Sequence, residues 1–171
     1  GMSEEVFCVL AEKIHEIYHA AANTNFLQPY HMLKEVNVYG TQEIIRFATT
    51  YQLKRVHYIS THYVFSNLSH ENGYIAYEDT FPTEQEVLVL GYQQSKWVGE
   101  NIMQIAKSRG VPVSVYRVGR ISGSSVNGAC QTKDIMWMMI KCCVEAGVLF
   151  EENVKIEFIP VGYVSQSIVA L

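Results

Sequence analysis

Positive charge is scarce in this sequence and is nowhere concentrated. The 13 lysines and arginines are scattered along the chain and are outnumbered by 17 aspartates and glutamates, which gives a formal net charge of -4. Domains that bind nucleic acid usually present a basic patch or stripe to the phosphates. The chain has no such electrostatic footprint, and we expect no nucleic-acid partner.

Long apolar runs and secretion signals are also missing. No stretch approaches the roughly 20 apolar residues that a membrane-spanning helix needs. The first residues, GMSEEVF, carry acids where a signal peptide carries basic residues. Both features favour a protein that does not act on a membrane.

Cysteine is sparse, and neither cysteine nor histidine is arranged to bind metal. The four cysteines form no C-x-x-C motif, and the six histidines lack the spacing of zinc ligands. Cys142 and Cys143 are adjacent in a helical pattern, where a disulfide between them would be strained. We therefore predict four free thiols in the reducing cytoplasm and no metal site.

What the chain does contain suits a folded domain. Hydrophobic residues make up 49% of its 171 positions and charged residues 18%, a balance typical of a globular chain with a real core. Strand-like segments at 16–22, 55–60, 111–118 and 154–161 alternate with helical patterns at 29–51, 92–108, 134–146 and 164–171, and 66–90 is an irregular acidic loop. This alternation predicts an α/β fold, a Rossmann-like doubly wound parallel sheet. We expect the strands near 16–21, 55–60, 112–118 and 155–159 to lie parallel in one sheet.

Two of the predicted helices have recognisable faces. Between Pro29 and about Tyr51, apolar residues recur at intervals of three and four, which predicts the buried face of one helix: Leu33, Val36, Gly40, Ile44 and Phe47. The helix at 134–146 is apolar almost all round and is predicted to be buried. Its run from Met136 to Met139 favours core over a substrate pocket.

One element of this fold is absent from the sequence. Dinucleotide-binding sheets open with a strand and a Gly-rich turn, G-x-G-x-x-G or a relative. The glycines before residue 90 are Gly1, Gly40 and Gly73, and none of them leads from a strand into a helix. We therefore expect a partial sheet, and its exposed edge strand invites pairing with another chain.

The stretch GYQQSKWVGEN, Gly91 to Asn101, places Tyr92 and Lys96 one helical turn apart. Such a spacing is common by chance, but here it follows the strand YISTHYVFS, whose carboxyl end carries Ser60 and Thr61. Ligands of open α/β sheets bind beyond the carboxyl ends of the strands. The combination indicates a site for carbonyl reduction.

Each of these side chains suits a step of that chemistry. Hydride addition builds negative charge on the carbonyl oxygen, and Tyr92 can donate a proton there while Thr61 offers a second hydroxyl. A free phenol has a pKa of about 10. We expect the Lys96 ammonium to lower the pKa of Tyr92, because it favours the phenolate.

Further segments extend the pattern over almost the whole chain: IYHAAANTNF, EVNVYGTQEIIRFA, VYRVGRISG and FIPVGYVSQSI. With them the sequence resembles the extended short-chain dehydrogenase/reductase superfamily. Within that superfamily it looks most like the thioester reductase domains of nonribosomal peptide synthetases, carboxylic acid reductases and fatty acyl reductases. The resemblance runs from about Ser3 to Leu171.

The resemblance implies roles for individual residues. Thr61 matches the catalytic Ser/Thr of the family, Tyr92 its catalytic tyrosine and Lys96 its catalytic lysine. The positions implied to contact the cofactor are His19, Ala20, Ala21, Asn37, Ser60, Tyr92, Lys96, Val118 and Gly119. A structural role stays open for two of them, since His19 also fits a buried core histidine and Asn37 a group that bonds the backbone.

The implied function is reduction of a peptidyl or acyl thioester, held on a phosphopantetheinyl carrier protein or domain, to an aldehyde or alcohol. The implied cofactor is NADP(H), with NAD(H) less favoured. Residues 1–171 would be the C-terminal part of a nicotinamide-dinucleotide-binding reductase domain, with no second complete domain. The chain departs from the family in the missing Gly-rich turn and in Gly162, where the family usually has Asp.

Two alternatives to this interpretation stay open. One is an NDP-sugar epimerase or dehydratase of the same superfamily. The other is a non-catalytic, truncated fragment that keeps catalytic-looking residues, because without the Gly-rich turn a pyrophosphate lacks its backbone donors.

Overall fold

The computed structural model describes residues 2–65, 75–81, 88–149 and 157–171. Of the predicted loop at 66–90, residues 66–74 and 82–87 lie outside the described residues, as do residues 154–156 of the last predicted strand. The chain divides into two compact units, Gly1–Arg117 and Val118–Leu171.

Three strands form the sheet of the first unit: β1 (Glu16–His19), β2 (Arg55–Thr61) and β3 (Val113–Val118), whose last residue opens the second unit. Their order is β1-β2-β3, so β2 is central. β1 and β2 run parallel and pair His19 with Tyr58, and β2 continues beyond this point to Thr61. The Rossmann-like α/β sheet predicted from the sequence is confirmed. Pairing of its edge with another chain stays a prediction.

Helices connect these strands. α1 (Glu4–Lys13) begins after Ser3, whose hydroxyl accepts the Val6 N–H. α2 (Tyr30–Lys34), a π-helical turn (Glu35–Tyr39) and α3 (Gly40–Thr49) link β1 to β2. A 3-10 turn (His62–Phe65) follows β2, and α4 (Gly91–Ser108) precedes β3. As predicted, the chain leaves α4 at Gly110, whose positive φ of 93° a residue with a side chain rarely adopts.

The π-helical turn corrects the predicted face of the 29–51 helix. A wider turn accommodates an extra residue and rotates the following side chains about the axis. Val36 is therefore exposed, whereas its neighbours Asn37 and Val38 are buried. The prediction from the three-and-four spacing assumed a regular α-helix. It placed Val36 on the buried face, where the structure has Asn37.

The core of the first unit brings α4 close to β2. Its buried members are Ala48, Val56, Tyr58, Met103, Ala106, Val111 and Val113. At Gly91, the start of α4 packs against another segment, since a Cβ there would overlap the backbone of residues 28–30. The approach to β2 depends on Gly99, where a Cβ would overlap the hydroxyl of Tyr58. This contact sets where the side chains of α4 meet the end of β2.

The second unit contains a separate two-stranded parallel sheet, β4 (Ile121–Ser122) with β5 (Ile159–Pro160). The prediction that the last strand joins the other three in one sheet is therefore wrong for the described residues. The chain leaves β3 after Val118, and Ile121 starts a new ladder that selects Ile159 as its partner. Pairs of two residues depend on tertiary contacts and leave little periodic signal in a sequence.

Two helices complete the second unit, α5 (Ile135–Ala146) and α6 (Val161–Ala170). Asp134 caps α5 by accepting the Met136 N–H, and Gly147 ends it with a φ of 66°. The prediction of a buried α5 is wrong among the described residues, since only Met136 of this helix is buried. The apolar composition of α5 does not indicate which of its side chains pack against the rest of the unit.

All four cysteines are free thiols, as predicted. Among the described helices, none has both the length and the apolar character required to cross a lipid bilayer.

Candidate active site

Tyr92 and Lys96 lie one turn apart on α4 and are both buried; we call them the Tyr–Lys pair. α4 places the phenol of Tyr92 beside the hydroxyl of Thr61, the last residue of β2, close enough for Thr61 to act on the pKa of Tyr92. Thr61 Oγ1 also accepts the N–H of Tyr63 at 3.2 Å, which fixes its orientation. The end of β2 and the start of α4 thus bring two hydroxyl groups together.

Lys96 extends along the same strand. Its Nζ donates to the carbonyl of Ile59 at 2.8 Å and lies 4.2 Å from the centroid of the Tyr58 ring. Burial lowers the pKa of Lys96 to about 8, and the negative charge of Glu100 opposes this fall. The ammonium is therefore still the main form at pH 7, at the edge of its titration.

The pKa of Tyr92 differs from the expectation. Burial raises it above the ordinary value, although the neighbouring Thr61 hydroxyl acts in the opposite direction. The predicted lowering by Lys96 is wrong in this structure, because the Lys96 ammonium donates to a backbone carbonyl. Phe26 contributes to the burial, with its ring centroid 4.8 Å from that of Tyr92. The phenol is consequently kept protonated at neutral pH.

The residues after β1 divide into a buried and an exposed group. His19 is buried, its Nε2 is 3.4 Å from Thr41 Oγ1, and its ring lies against Tyr58. Burial, and then the charge of Lys96, lower the pKa of His19 to about 4, so that the imidazole is neutral at pH 7. Ala20 and Ala21 follow in an exposed segment at the carboxyl end of the strand.

Asn37 connects the segment after β1 to α4. Its Oδ1 accepts the N–H of Asn23 at 2.7 Å, and its Nδ2 donates to the Asn23 carbonyl and to Ser95 Oγ, each at 2.9 Å. The neighbouring Thr41 hydroxyl donates to the Asn37 carbonyl at 2.7 Å, within the π-helical turn. The side chain of Asn37 is thus engaged in structural bonds beside the Tyr–Lys pair.

Ser60 is buried and faces α4, where its hydroxyl donates to Glu100. Glu100 in turn forms an ion pair with Arg117 of β3, at 2.8 Å from Nη2 to Oε2. Sequence reasoning missed both charged residues. Spacing could have identified Glu100, because it follows Lys96 by four residues and so lies on the face of α4 that carries the Tyr–Lys pair.

The two remaining predicted positions belong to the second unit. Val118 is the last residue of β3 and Gly119 follows it, and both are half-buried.

The groups at the end of β2 fit the nicotinamide and ribose end of a dinucleotide. A lysine ammonium has three N–H donors. Among the described residues, Lys96 makes one hydrogen bond, to Ile59, and two donors are left for ligand hydroxyls. The exposed Ala20 and Ala21 leave the neighbouring strand end open. The sequence supplies no Gly-rich turn for the pyrophosphate.

Comparison with known proteins gives a consistent family. The profile of an NAD-binding family described as male sterility protein matches residues 1–168. The chain is 39% identical over 171 residues to a linear gramicidin synthase of Brevibacillus parabrevis, covering 100% of this chain and 3% of that protein. It is 37% identical over 175 residues to a glycine betaine reductase of Emericella nidulans, covering 100% of this chain and 14% of that protein.

Solved structures agree with these relatives. The terminal R domain of the myxalamid PKS-NRPS pathway is 41% identical with a TM-score of 0.92, over 99% of this chain and 42% of that one. A thiolation-reductase di-domain of an archaeal non-ribosomal peptide synthetase is 24% identical, with a TM-score of 0.81 over 98% of this chain and 37% of that one. A UDP-glucuronic acid 4-epimerase of Bacillus cereus, 18% identical with a TM-score of 0.70 over 96% of this chain and 51% of that one, shares the fold. The chain spans less than half of the R domain that it matches.

Proposed function

We propose that the site of this chain reduces the carbonyl of a thioester with a nicotinamide cofactor. The premise is that the chain belongs to the NAD-binding male sterility protein family. The proposed substrate is a peptidyl or acyl group held on a phosphopantetheinyl carrier. Residues 1–171 would form part of one reductase domain, since they cover 42% of a related R domain. The proposed location is the cytoplasm, because all four cysteines are free thiols.

The observation that carries this proposal is the arrangement at the end of β2. A buried phenol, a threonine hydroxyl and a lysine ammonium with spare donors lie along one strand end and one helix turn. Open α/β sheets bind their ligands at this edge. The arrangement supplies both a proton donor and a cation where a carbonyl could be reduced.

The nicotinamide cofactor would be held by Lys96 at its ribose hydroxyls, with the segment at Ala20 and Ala21 beside it. When bound, it supplies a hydride to the carbonyl carbon. We favour NADP(H) over NAD(H) on the resemblance to the thioester reductases. Val118 and Gly119 are proposed as further contacts on the same basis.

Tyr92 and Thr61 would act on the substrate oxygen. The raised pKa of Tyr92 keeps its proton available at neutral pH, and that proton passes to the oxygen as negative charge develops there. The Thr61 hydroxyl stabilises the same oxygen by a hydrogen bond. The product of this step is a hemithioacetal. Cleavage of its C–S bond releases the carrier thiol and leaves an aldehyde, and Tyr92 regains a proton from solvent.

The proposed carrier partner is supported by the domain that accompanies a related reductase domain. One solved structure with this fold is a thiolation-reductase di-domain of a peptide synthetase. A thioester on a flexible pantetheine arm is also an activated acyl group, whereas a free carboxylate is resistant to hydride because of its charge. A thioester needs no further activation before hydride addition, and therefore suits a site in which one residue, Tyr92, donates the proton.

The test is NADPH oxidation by the protein that carries this chain, at its full natural length. The substrates are an acyl thioester of pantetheine, the same acyl group as a free acid, and a UDP-sugar. We expect NADPH consumption and aldehyde formation with the thioester, and no turnover of the free acid. Because epimerisation consumes no NADPH, the UDP-sugar is followed by its product; an epimerised sugar without reduction of the thioester would overturn the proposal in favour of an epimerase.

A further inference from the structure

Glu100 is a buried carboxylate on the helix of the Tyr–Lys pair, with a side chain that is only 1% exposed. A buried carboxylate is stable only when donors compensate its lost hydration. The Ser60 hydroxyl donates to Oε1. Arg117 donates through Nε to both oxygens, at 3.2 and 3.0 Å, and through Nη2 to Oε2 at 2.8 Å. Three elements, α4, β2 and β3, therefore meet at this one carboxylate.

The contact with Ser60 lies between the two contacts of the Tyr–Lys pair. The residue before it, Ile59, offers the carbonyl that Lys96 binds, and the residue after it, Thr61, lies beside the phenol of Tyr92. Any shift of β2 along α4 would move both contacts at once. A bond at Ser60 is thus placed to fix the register between the strand end and the helix.

Arg117 anchors the other side of the carboxylate. Its Nη1 donates to the carbonyl of Thr80 at 2.8 Å, and its guanidinium carbon lies 4.8 Å from the centroid of the Phe65 ring. Because these contacts hold the guanidinium in place, Glu100 has a fixed partner. The anchor also connects the site to residues 75–81, which precede α4 in the chain.

We propose that Glu100 is a positioning residue of the candidate reductase site. Held by Arg117, its carboxylate fixes Ser60 and thereby the end of β2 against α4. Thr61 and the Tyr–Lys pair then keep the relative positions that proton donation requires. The proposal rests on the proposed function, because this positioning affects turnover only if the pair acts on a carbonyl.

The charge of Glu100 has a separate, measurable effect on Lys96. The charged and titratable groups that face Lys96 are Glu100 on its own helix, Tyr58 on β2 and His19 on β1. Of these, Glu100 raises the pKa of Lys96 against the effect of burial. Activity is expected to fall at high pH as Lys96 loses its proton. Without the charge of Glu100, Lys96 should lose that proton, and the protein its activity, at a lower pH. A merely structural defect should leave this pH unchanged.

The test compares kcat, KM for NADPH and the pH profile of turnover in the full-length protein. Glu100→Gln removes the charge at almost constant size, and Ser60→Ala removes the contact but keeps the charge. The matched control is Glu43→Gln, a helical glutamate that is exposed and paired with Arg46. Thermal melting of each variant reports the folded fraction.

We expect both test variants to lose at least tenfold in kcat with KM for NADPH nearly unchanged. Only Glu100→Gln should lower the pH at which turnover falls on the alkaline side of the profile, by about one pH unit. Wild-type kcat in Ser60→Ala, or no lowering of this pH in folded Glu100→Gln, would overturn the proposal. If Glu100→Gln does not fold, kcat of Ser60→Ala decides alone. Full activity of Lys96→Met would instead refute the proposed function.

Discussion

Replacing Lys96 with methionine should make the fold more stable while it removes the proposed activity. The side chain is 3% exposed, and its pKa falls from 10.5 to about 8. Since each pKa unit corresponds to about 1.4 kcal/mol, holding the charged form in the folded state costs about 3 kcal/mol at pH 7. Methionine fills a similar volume without charge, but loses the hydrogen bond to Ile59, which contributes about 1 kcal/mol. We expect a net gain of about 2 kcal/mol in the free energy of unfolding.

The pH dependence gives this prediction a distinctive sign. Between pH 8 and 10.5 the unfolded state keeps the proton that the folded state has lost, so the wild-type fold becomes more stable as pH rises. The advantage of Lys96→Met should therefore be complete below pH 8 and should shrink as pH rises to 10.5.

Urea denaturation of wild type and variant at pH 7 and pH 10 is the assay. Lys107→Met is the matched control, because Lys107 is exposed near the end of the same helix and should change stability by less than about 0.5 kcal/mol. A destabilised Lys96→Met, or a gain that is the same at both pH values, would refute this account of the buried ammonium.

Three further predictions concern the surroundings of the Tyr–Lys pair. Gly99→Ala should destabilise the fold by about 1–3 kcal/mol through overlap with the Tyr58 hydroxyl, and adding Tyr58→Phe should restore part of the loss in a double-mutant cycle. His19 should make stability fall as pH drops from 6.5 toward 4, since the unfolded imidazole binds a proton there while the folded one does not; urea melts of His19→Gln should show a flatter profile. Asn37→Asp should lose about 2–4 kcal/mol, because the carboxylate cannot donate to Ser95 or to the Asn23 carbonyl; an unchanged melt would contradict the bonding described.

The parts of the fold that the sequence predicted well are those with strong local signals. The β-branched run of β2 and the glycine stop after α4 are set by residues close in the chain. On the predicted face of the 29–51 helix, Val36 was wrong, because the π-helical turn brings Asn37 inward, where it bonds Asn23 and Ser95. Periodicity along one segment contains no information about such a partner.

The same distinction applies to the candidate site. The spacing of Tyr92 and Lys96 and the strand end at Thr61 could be read directly, and the structure places all three near the end of β2. The pKa of Tyr92 could not be predicted, because its direction depends on burial against groups such as Phe26. The role of Glu100 depends on residues far from it in the sequence, which meet it only in the folded sheet.

Turnover by Tyr92→Phe, measured together with NADPH affinity in the full-length protein, tests the central claim most directly. The substitution removes one hydroxyl from a buried ring, and Tyr163→Phe is the matched control because that tyrosine is 68% exposed. We predict a loss of about 10²–10⁴-fold in thioester reduction, the range for a lost proton donor, with the Kd for NADPH nearly unchanged. Wild-type turnover in Tyr92→Phe would contradict the assignment of this residue as the proton donor.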